Sequence, residues 1–314
     1  MKKTQDFQWS QGLPASNLVD QLGNVGFQSV QLNRASEAIK RMYLNDATIY
    51  LTYTSNMVTS GLRGFFAQLI KLGLVDQIVT TVGGIEEDIM KANGEDFLIG
   101  TFNQDDTELY EKGINRVGNI KVHNESYAKF EDTMQPILRG LHDKQSRWTP
   151  SEIFHEIGGQ LDDENSILNQ AHQHDVPIYC PAITDGSFGF HLFLYQQKHD
   201  DFIVDVVRDF KNIVTNTSHD ERKGVISLGG SISKHHALLA CLLNGGLDYA
   251  VYMTTASTTS GSMSGATTDE AKSWGKIKDE SDAATVHGDV TITFPLAMSK
   301  VLDDLQEAGM LQNT

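Results

Sequence analysis

The chain has 314 residues, 39% of them apolar, and a mean hydropathy of -0.30, which suits a water-soluble globular protein with a sizeable core. Twenty-five Lys and Arg against 41 Asp and Glu leave a net charge of -16, which argues against a broad nucleic-acid footprint and against docking on anionic membranes. Cationic partners such as polyamines, basic proteins or metals stay open, as does a plain solubilising role for the acids. Cys180 and Cys241 lie in the apolar runs IYC and ALLACLL, so they read as small buried hydrophobes in a reducing, cytoplasmic setting. The start MKKTQDFQWSQ has no apolar h-region, so no signal peptide is expected. The longest aliphatic run, Ala237 to Leu243, is too short to span a bilayer.

In chain order, residues 1–30 are polar and read as an N-terminal arm. Short β-rich runs follow at 47–53, 76–81, 97–100, 176–182, 202–207, 224–229, 248–253 and 284–292. Between them, helical periodicity covers 36–43, 62–73, 127–141, 152–161, 235–243 and 297–305. Strands that are apolar almost throughout, alternating with helices, predict parallel strands buried on both faces. The expected fold is a doubly wound, mostly parallel α/β sheet forming one domain over 1–314.

Ligands of such sheets bind beyond the carboxyl ends of the strands. Five predicted strand ends here run into small, hydroxyl or glycine residues: TSNMVTSG (54–61), VGGIEED (82–88), ITDGS (183–187), GSISKHH (230–236) and the Ser/Thr/Gly run 254–265. That pattern brings backbone N–H groups close to phosphates. Each piece alone also fits an ordinary turn or cap, and neither G-x-G-x-x-G nor a P-loop occurs.

Lys276 in SWGKI stands out, because Trp274 supplies an apolar wall and Gly275 permits close approach. A desolvated lysine is an amine nucleophile able to form an imine; the plain alternative is a surface lysine at a helix end. His235 and His236 open a helix after a glycine turn, where the dipole favours a neutral base; they read equally well as capping or core histidines. Glu86 and Glu87 at a strand end fit an anchor for a cationic substrate or a solvated helix start. His172 and His174 lack ligand spacing for a metal and read as surface residues, so no metal site is expected.

Together these residues resemble the deoxyhypusine synthase family, in an archaeal or bacterial style. The carrying segments are TSNMVTSG (54–61), VTTVGGIEED (79–88), EKGINRVGN (111–119), KFEDTMQPIL (129–138), WTPSEI (148–153), CPAITDGSFG (180–189), SLGGSISKHH (227–236), NGGLDYAVYMTTA (244–256), SGATTDEAKSWGKI (264–277) and GDVTITFPL (288–296). The resemblance implies a Rossmann-like NAD-binding domain and an NAD-dependent aminobutyl transferase. Bound NAD takes hydride from spermidine, and cleavage releases 1,3-diaminopropane. The four-carbon unit is held as an imine on Lys276 and passes to one lysine of the translation initiation factor 5A precursor, the first step of hypusine formation.

By position, the resemblance makes Lys276 and His235 catalytic, and Glu86, Glu87, Glu270 and Trp274 polyamine-binding. The NAD set it implies is Ser55, Asn56, Thr59, Thr81, Gly83, Asp185, Gly230, Thr255, Ala256 and Asp289. It further implies a cytoplasmic homotetramer with active sites at subunit interfaces, where residues 1–30 can cover a neighbour's site. Eukaryotic members carry acids where Phe190, Ser260 and Met263 stand here, so the amine donor and acceptor stay open at those positions. Homospermidine synthesis on putrescine and a weakly active NAD-binding paralogue are the alternative readings.

Overall fold

In the computed structural model, which describes residues 2–311, the chain opens with α1 (Ala15–Leu22), α2 (Phe27–Leu44), β1 (Thr48–Tyr53), α3 (Asn56–Thr59), α4 (Arg63–Lys71), β2 (Gln77–Thr80) and α5 (Val82–Ala92). A small excursion follows: β3 (Leu98–Ile99), α6 (Asp106–Glu111), β4 (Ile114–Val117) and β5 (Ile120–His123). Then come α7 (Asn124–Lys144), β6 (Arg147–Trp148), α8 (Pro150–Gly158), α9 (Ile167–Gln173), β7 (Ile178–Tyr179), α10 (Ser187–Gln196), β8 (Ile203–Val204) and α11 (Val206–Thr215). The last stretch holds β9 (Lys223–Leu228), α12 (Ser231–Leu243), β10 (Leu247–Thr254), a 3-10 turn at Met263–Gly265, α13 (Thr268–Lys272), β11 (Ile277–His287) and α14 (Val290–Glu307). No helix among the described residues is long and apolar enough to cross a membrane.

These elements divide between two units. The first holds the residues up to Tyr53, Leu74–Asp76 and everything from Ile213; the second holds Thr54–Gly73 and Gln77–Asn212. In the first unit, four strands run parallel in the order β11-β10-β9-β1. All six residues of β9 and all but one of β1 are buried, which in a period of two means that both faces are covered. Helices α2, α12 and α14 pack on these strands. Between β1 and β9 the hydroxyls of Thr52 and Ser227 pair at 3.0 Å, so a polar pair sits satisfied in the core. The segment before α1 has no regular structure; the Gln5 and Gln8 N–H groups bond Asn24 O and the Gln21 side chain.

In the second unit, β2 pairs in parallel with β7, and α5 and α10 follow these strands. Asp88 of α5 is 1% exposed and accepts from Arg63, from the Ser166 hydroxyl at 2.9 Å and from the Leu168 N–H at 2.8 Å. It ties α4, α5 and the start of α9 into one polar knot.

The mostly parallel sheet with flanking helices is as the apolar runs predict. Four runs differ in detail; of these, 176–182 gives only the two-residue β7. Residues 97–100 form an exposed edge of an antiparallel three-stranded sheet, β3-β5-β4, not a buried parallel strand. The run 202–207 gives only the two-residue β8, because helix α11 begins at Val206. The run 284–292 stops at His287, because the Asp289 carboxylate caps α14 through the Thr291 N–H at 2.8 Å.

Replacing Asp88 by Ala leaves the Ser166 hydroxyl and the Ile167 and Leu168 N–H groups without this acceptor and leaves Arg63 with Asp163 as its carboxylate partner. The expected loss is about 3 kcal/mol in a denaturant titration; a loss below about 1 kcal/mol would refute the structural weight given to this knot.

Candidate active site

In the first unit, β9, β10 and β11 end side by side. Leu228 is level with Met253 and Thr254 with His287. The chain beyond each end is tied to its neighbour: Gly229 N–H donates to Met253 O at 2.8 Å and Gly288 N–H to Thr254 O at 3.1 Å. Gly230, Thr255, Ala256 and Asp289 therefore stand at one edge, beyond three adjacent carboxyl ends. Gly230 has no room for a side chain, since a Cβ there would run into Ser264. Ser231, the first residue of α12, holds φ at 60°, a strained value for a side-chain-bearing residue.

Lys276 follows Gly275, whose φ of 68° turns the chain sharply after α13. The turn carries the Lys276 side chain back over Trp274, with Nζ 5.5 Å from the ring centroid. Lys276 is only 9% exposed. The pocket around it is lined by Trp274, Glu270, His235, Lys234, Tyr252 and Met263 among others. Trp274, Glu270 and His235 are themselves exposed, so one side of the pocket is open in the single chain. Burial lowers the His235 pKa first, and the charges of Lys276 and Lys234 lower it further. His236 is pushed down to about 4 by burial and then by His235. The neutral bases expected from the helix dipole thus arise here chiefly from desolvation.

In the second unit, Glu86 and Glu87 are both buried on α5. Glu86 accepts the Phe188 N–H at 2.8 Å; burial raises its pKa, with Asp185 adding to the rise and the Phe188 and Ser187 N–H groups opposing it. Glu87 accepts the Thr59 hydroxyl at 2.6 Å. Burial pushes its pKa up to about 7, against the pull of Thr59 and Lys91 and with help from Glu86. The Thr81 hydroxyl does not cap its own helix α5; it accepts the Ser55 N–H at 2.9 Å and so joins the starts of α3 and α5. A Cβ on Gly83 would meet Ser55 at 2.9 Å. Ser55, Thr59, Thr81 and Gly83 are thus brought together, with Asn56 the first residue of α3 and Asp185 just before α10.

The three helices α5, α10 and α12 start on or next to glycine, and none has a side-chain bond at its N-cap. At α10 the Ser187 and Phe188 N–H groups are taken by Glu86, and at α12 the Ser231 N–H is taken by Ser264; the uncapped start of α5, with Gly83 in its first turn, has the N–H donors that fit a phosphate of a dinucleotide.

Phe190 and Met263 are more than half exposed and Ser260 is exposed. Apolar or neutral groups thus occupy the places of the acids that eukaryotic relatives were expected to carry. A larger cavity, about 440 Å³, lies elsewhere in the second unit beside Trp148, Glu152, His155 and Glu156; Glu152 is paired with Arg208 and Glu156 with Lys144. Lys234 and Tyr252 also line the pocket, although no motif marks them in the sequence. Lys234 shares a helical face, at spacings of four and seven, with Leu238 and Cys241, which are buried.

Comparison with known proteins decides the family. Its model, described as deoxyhypusine synthase, matches residues 17–301. The chain belongs to the deoxyhypusine synthase family. A Neurospora crassa deoxyhypusine synthase is 39% identical over 316 residues, covering 94% of this chain and 89% of its own. A Halobacterium salinarum candidate for the same activity is 38% identical over 291 residues, covering 91% and 88%. The crystal structure of a candidate deoxyhypusine synthase from Entamoeba histolytica aligns with TM-score 0.69 at 27% identity, over 95% of this chain and 96% of that one. Membership in the deoxyhypusine synthase family makes the chain a transferase of hypusine biosynthesis and favours that reading over homospermidine synthesis or an inactive paralogue.

A carboxyl group with a raised folded pKa binds its proton more tightly folded than unfolded. Stability from Glu87 is therefore complete below its ordinary value of 4.5 and is lost as pH rises through about 7. Glu87→Gln is expected to remove that slope and to be more stable than the parent at about pH 8, by up to about 3 kcal/mol. Parallel denaturation curves at about pH 5 and 8 check this; an unchanged slope would show that Glu87 is ionised throughout.

Proposed function

We propose that this chain transfers the 4-aminobutyl group of spermidine, by way of an imine on Lys276, to a lysine of the translation initiation factor 5A precursor. The observation that carries the reading is a buried lysine amine against the Trp274 ring, with Glu270 and His235 lining the same pocket.

The roles follow from chemistry. The Lys276 amine attacks the imine carbon of the oxidised polyamine; the C–N bond to the three-carbon arm breaks, and 1,3-diaminopropane leaves. His235, kept largely neutral by burial and by two nearby lysines, takes up the proton that the attacking amine sheds. Trp274 packs on the methylenes, and Glu270 holds an ammonium end. The target lysine then attacks the Lys276 imine and frees it. Glu86 and Glu87, the paired acids of the second unit, are proposed to hold an amine near the nicotinamide. Burial raises the pKa of both, that of Glu87 to about 7, which keeps a proton on Glu87 within reach of neutral pH.

NAD, when bound, stores and returns the hydride. The residues proposed to contact it are Ser55, Asn56, Thr59, Thr81, Gly83, Asp185, Gly230, Thr255, Ala256 and Asp289. What supports this is their place at strand ends and glycine-led helix starts. We further propose a cytoplasmic homotetramer with its sites at subunit interfaces. The open side of the Lys276 pocket in a single chain supports a covering neighbour, and the net charge of -16 suits a lysine-bearing partner loop.

Lys276→Arg keeps the charge but removes the usable nucleophile. With NAD and labelled spermidine, borohydride is expected to trap label on the parent and not on Lys276→Arg, while NAD binding survives in both. Full transfer by Lys276→Arg would overturn the role of Lys276. Offering the factor precursor and putrescine side by side identifies the acceptor: label on the factor supports the reading, and label only in homospermidine refutes it.

A further inference from the structure

We propose that Lys234 is a positioning residue, whose ammonium fastens the Met263–Ala266 turn to helix α12 and so fixes one wall of the Lys276 pocket for the amine substrate. This deepens the reading of Lys276 given above.

Lys234 lies one turn into α12 and is 5% exposed. Its Nζ donates to three backbone carbonyls of one short stretch: Met263 at 3.1 Å, Ser264 at 3.3 Å and Ala266 at 3.2 Å. An ammonium has three donors and no acceptor, so these three bonds use its whole capacity. A neutral amine has only two N–H donors and leaves one carbonyl unbonded. Nζ also lies over the Tyr252 ring, 4.8 Å from its centroid. Lys234 is thus a charge held by carbonyl dipoles and a ring face rather than by a carboxylate.

The turn needs such a tie. From Ser257 to Ala266 the chain is mostly Ser, Thr and Gly, and its regular structure is one three-residue 3-10 turn. One further bond holds it to the helix start, from Ser231 N–H to the Ser264 hydroxyl at 3.1 Å. Met263 and Ala266 line the pocket, so the carbonyls that Lys234 grips belong to the residues that shape the wall.

The same charge also sorts the substrate's ends. Lys234, Lys276 and His235 are the basic side chains lining this pocket, and Glu270 is its carboxylate. Glu270 favours the charged form of Lys234 while Lys276 opposes it, and burial, the largest effect, brings the Lys234 pKa down to about 8. A protonated amine of the substrate is therefore steered toward Glu270 and away from Lys234. This accounts for a wall held by a cation in a site meant for cations.

Lys234→Met tests the proposal through amide hydrogen exchange of residues 257–267 and steady-state kinetics. Exchange in that segment is expected to rise about tenfold or more, as for loss of charge-assisted bonds, with α14 unchanged. KM for the polyamine should rise about tenfold while kcat changes less than about threefold. Lys234→Arg, which keeps charge and donors, should restore much of the protection. If Lys234→Met is poorly folded by circular dichroism, Lys234→Gln takes its place. Unchanged exchange at 257–267, or a fall in kcat with KM unchanged, overturns the proposal. The exchange result stands whether or not the protein forms an imine on Lys276, so it is read independently of the transfer reaction.

Discussion

Parallel pairing of β9, β10 and β11 is the constraint on which the rest of the first unit depends. Each strand hands its neighbour a fixed register: Leu228 is level with Met253, and Thr254, the next residue, with His287. Whatever follows them is forced to share one edge. Gly229–Ser231, the Ser/Thr/Gly segment after Thr254 and Asp289 are far apart in sequence, yet the ladder makes them neighbours. The strain at Ser231 and the lack of space at Gly230 follow from packing two chain segments into that edge. Local sequence does not favour either; the ladder imposes them.

Burial then sets the charge states. In the second unit it raises Glu86 and Glu87, and in the first it lowers His235, His236 and Lys234. All of these shifts move toward the uncharged form, the direction desolvation always takes. Neighbouring groups limit two of the shifts: the Thr59 hydroxyl and the charge of Lys91 restrain Glu87, and the charge of Glu270 restrains Lys234. Glu87 and Lys234, brought to about 7 and about 8, suit a reaction that passes protons among amines and imines.

The sheet and most helices are legible in the sequence because strands buried on both faces leave continuous apolar runs. Runs 97–100 and 202–207 misled for the same reason: a short apolar run has no periodicity to tell a core strand from an exposed hairpin edge or a helix start. At the site, Lys276 was legible from SWGK, since a glycine and an aromatic beside a lysine predict a close-walled amine. The role of burial in neutralising His235 was not, because it comes from residues far away in sequence. Lys234 is legible only from the helical face it shares with Leu238 and Cys241, because its three carbonyl partners lie 29 to 32 residues away in sequence. The antiparallel excursion β3-β5-β4 had no counterpart in a reading built around parallel strands.

The chain's three tryptophans sit in three settings. Trp148 is buried, with its indole N–H bonded to Leu141 O and Gln145 O; Trp9 lies exposed in the segment before α1; Trp274 stands at the mouth of the Lys276 pocket, 63% exposed. Because water contact sets the colour of indole emission, Trp274 makes the pocket its own optical gauge. An amine chain lying on that ring dries it, and a cation brought against it quenches it. Occupancy of the site is thereby written into the protein's native fluorescence, over the emission of the buried Trp148 and the exposed Trp9, with no label attached.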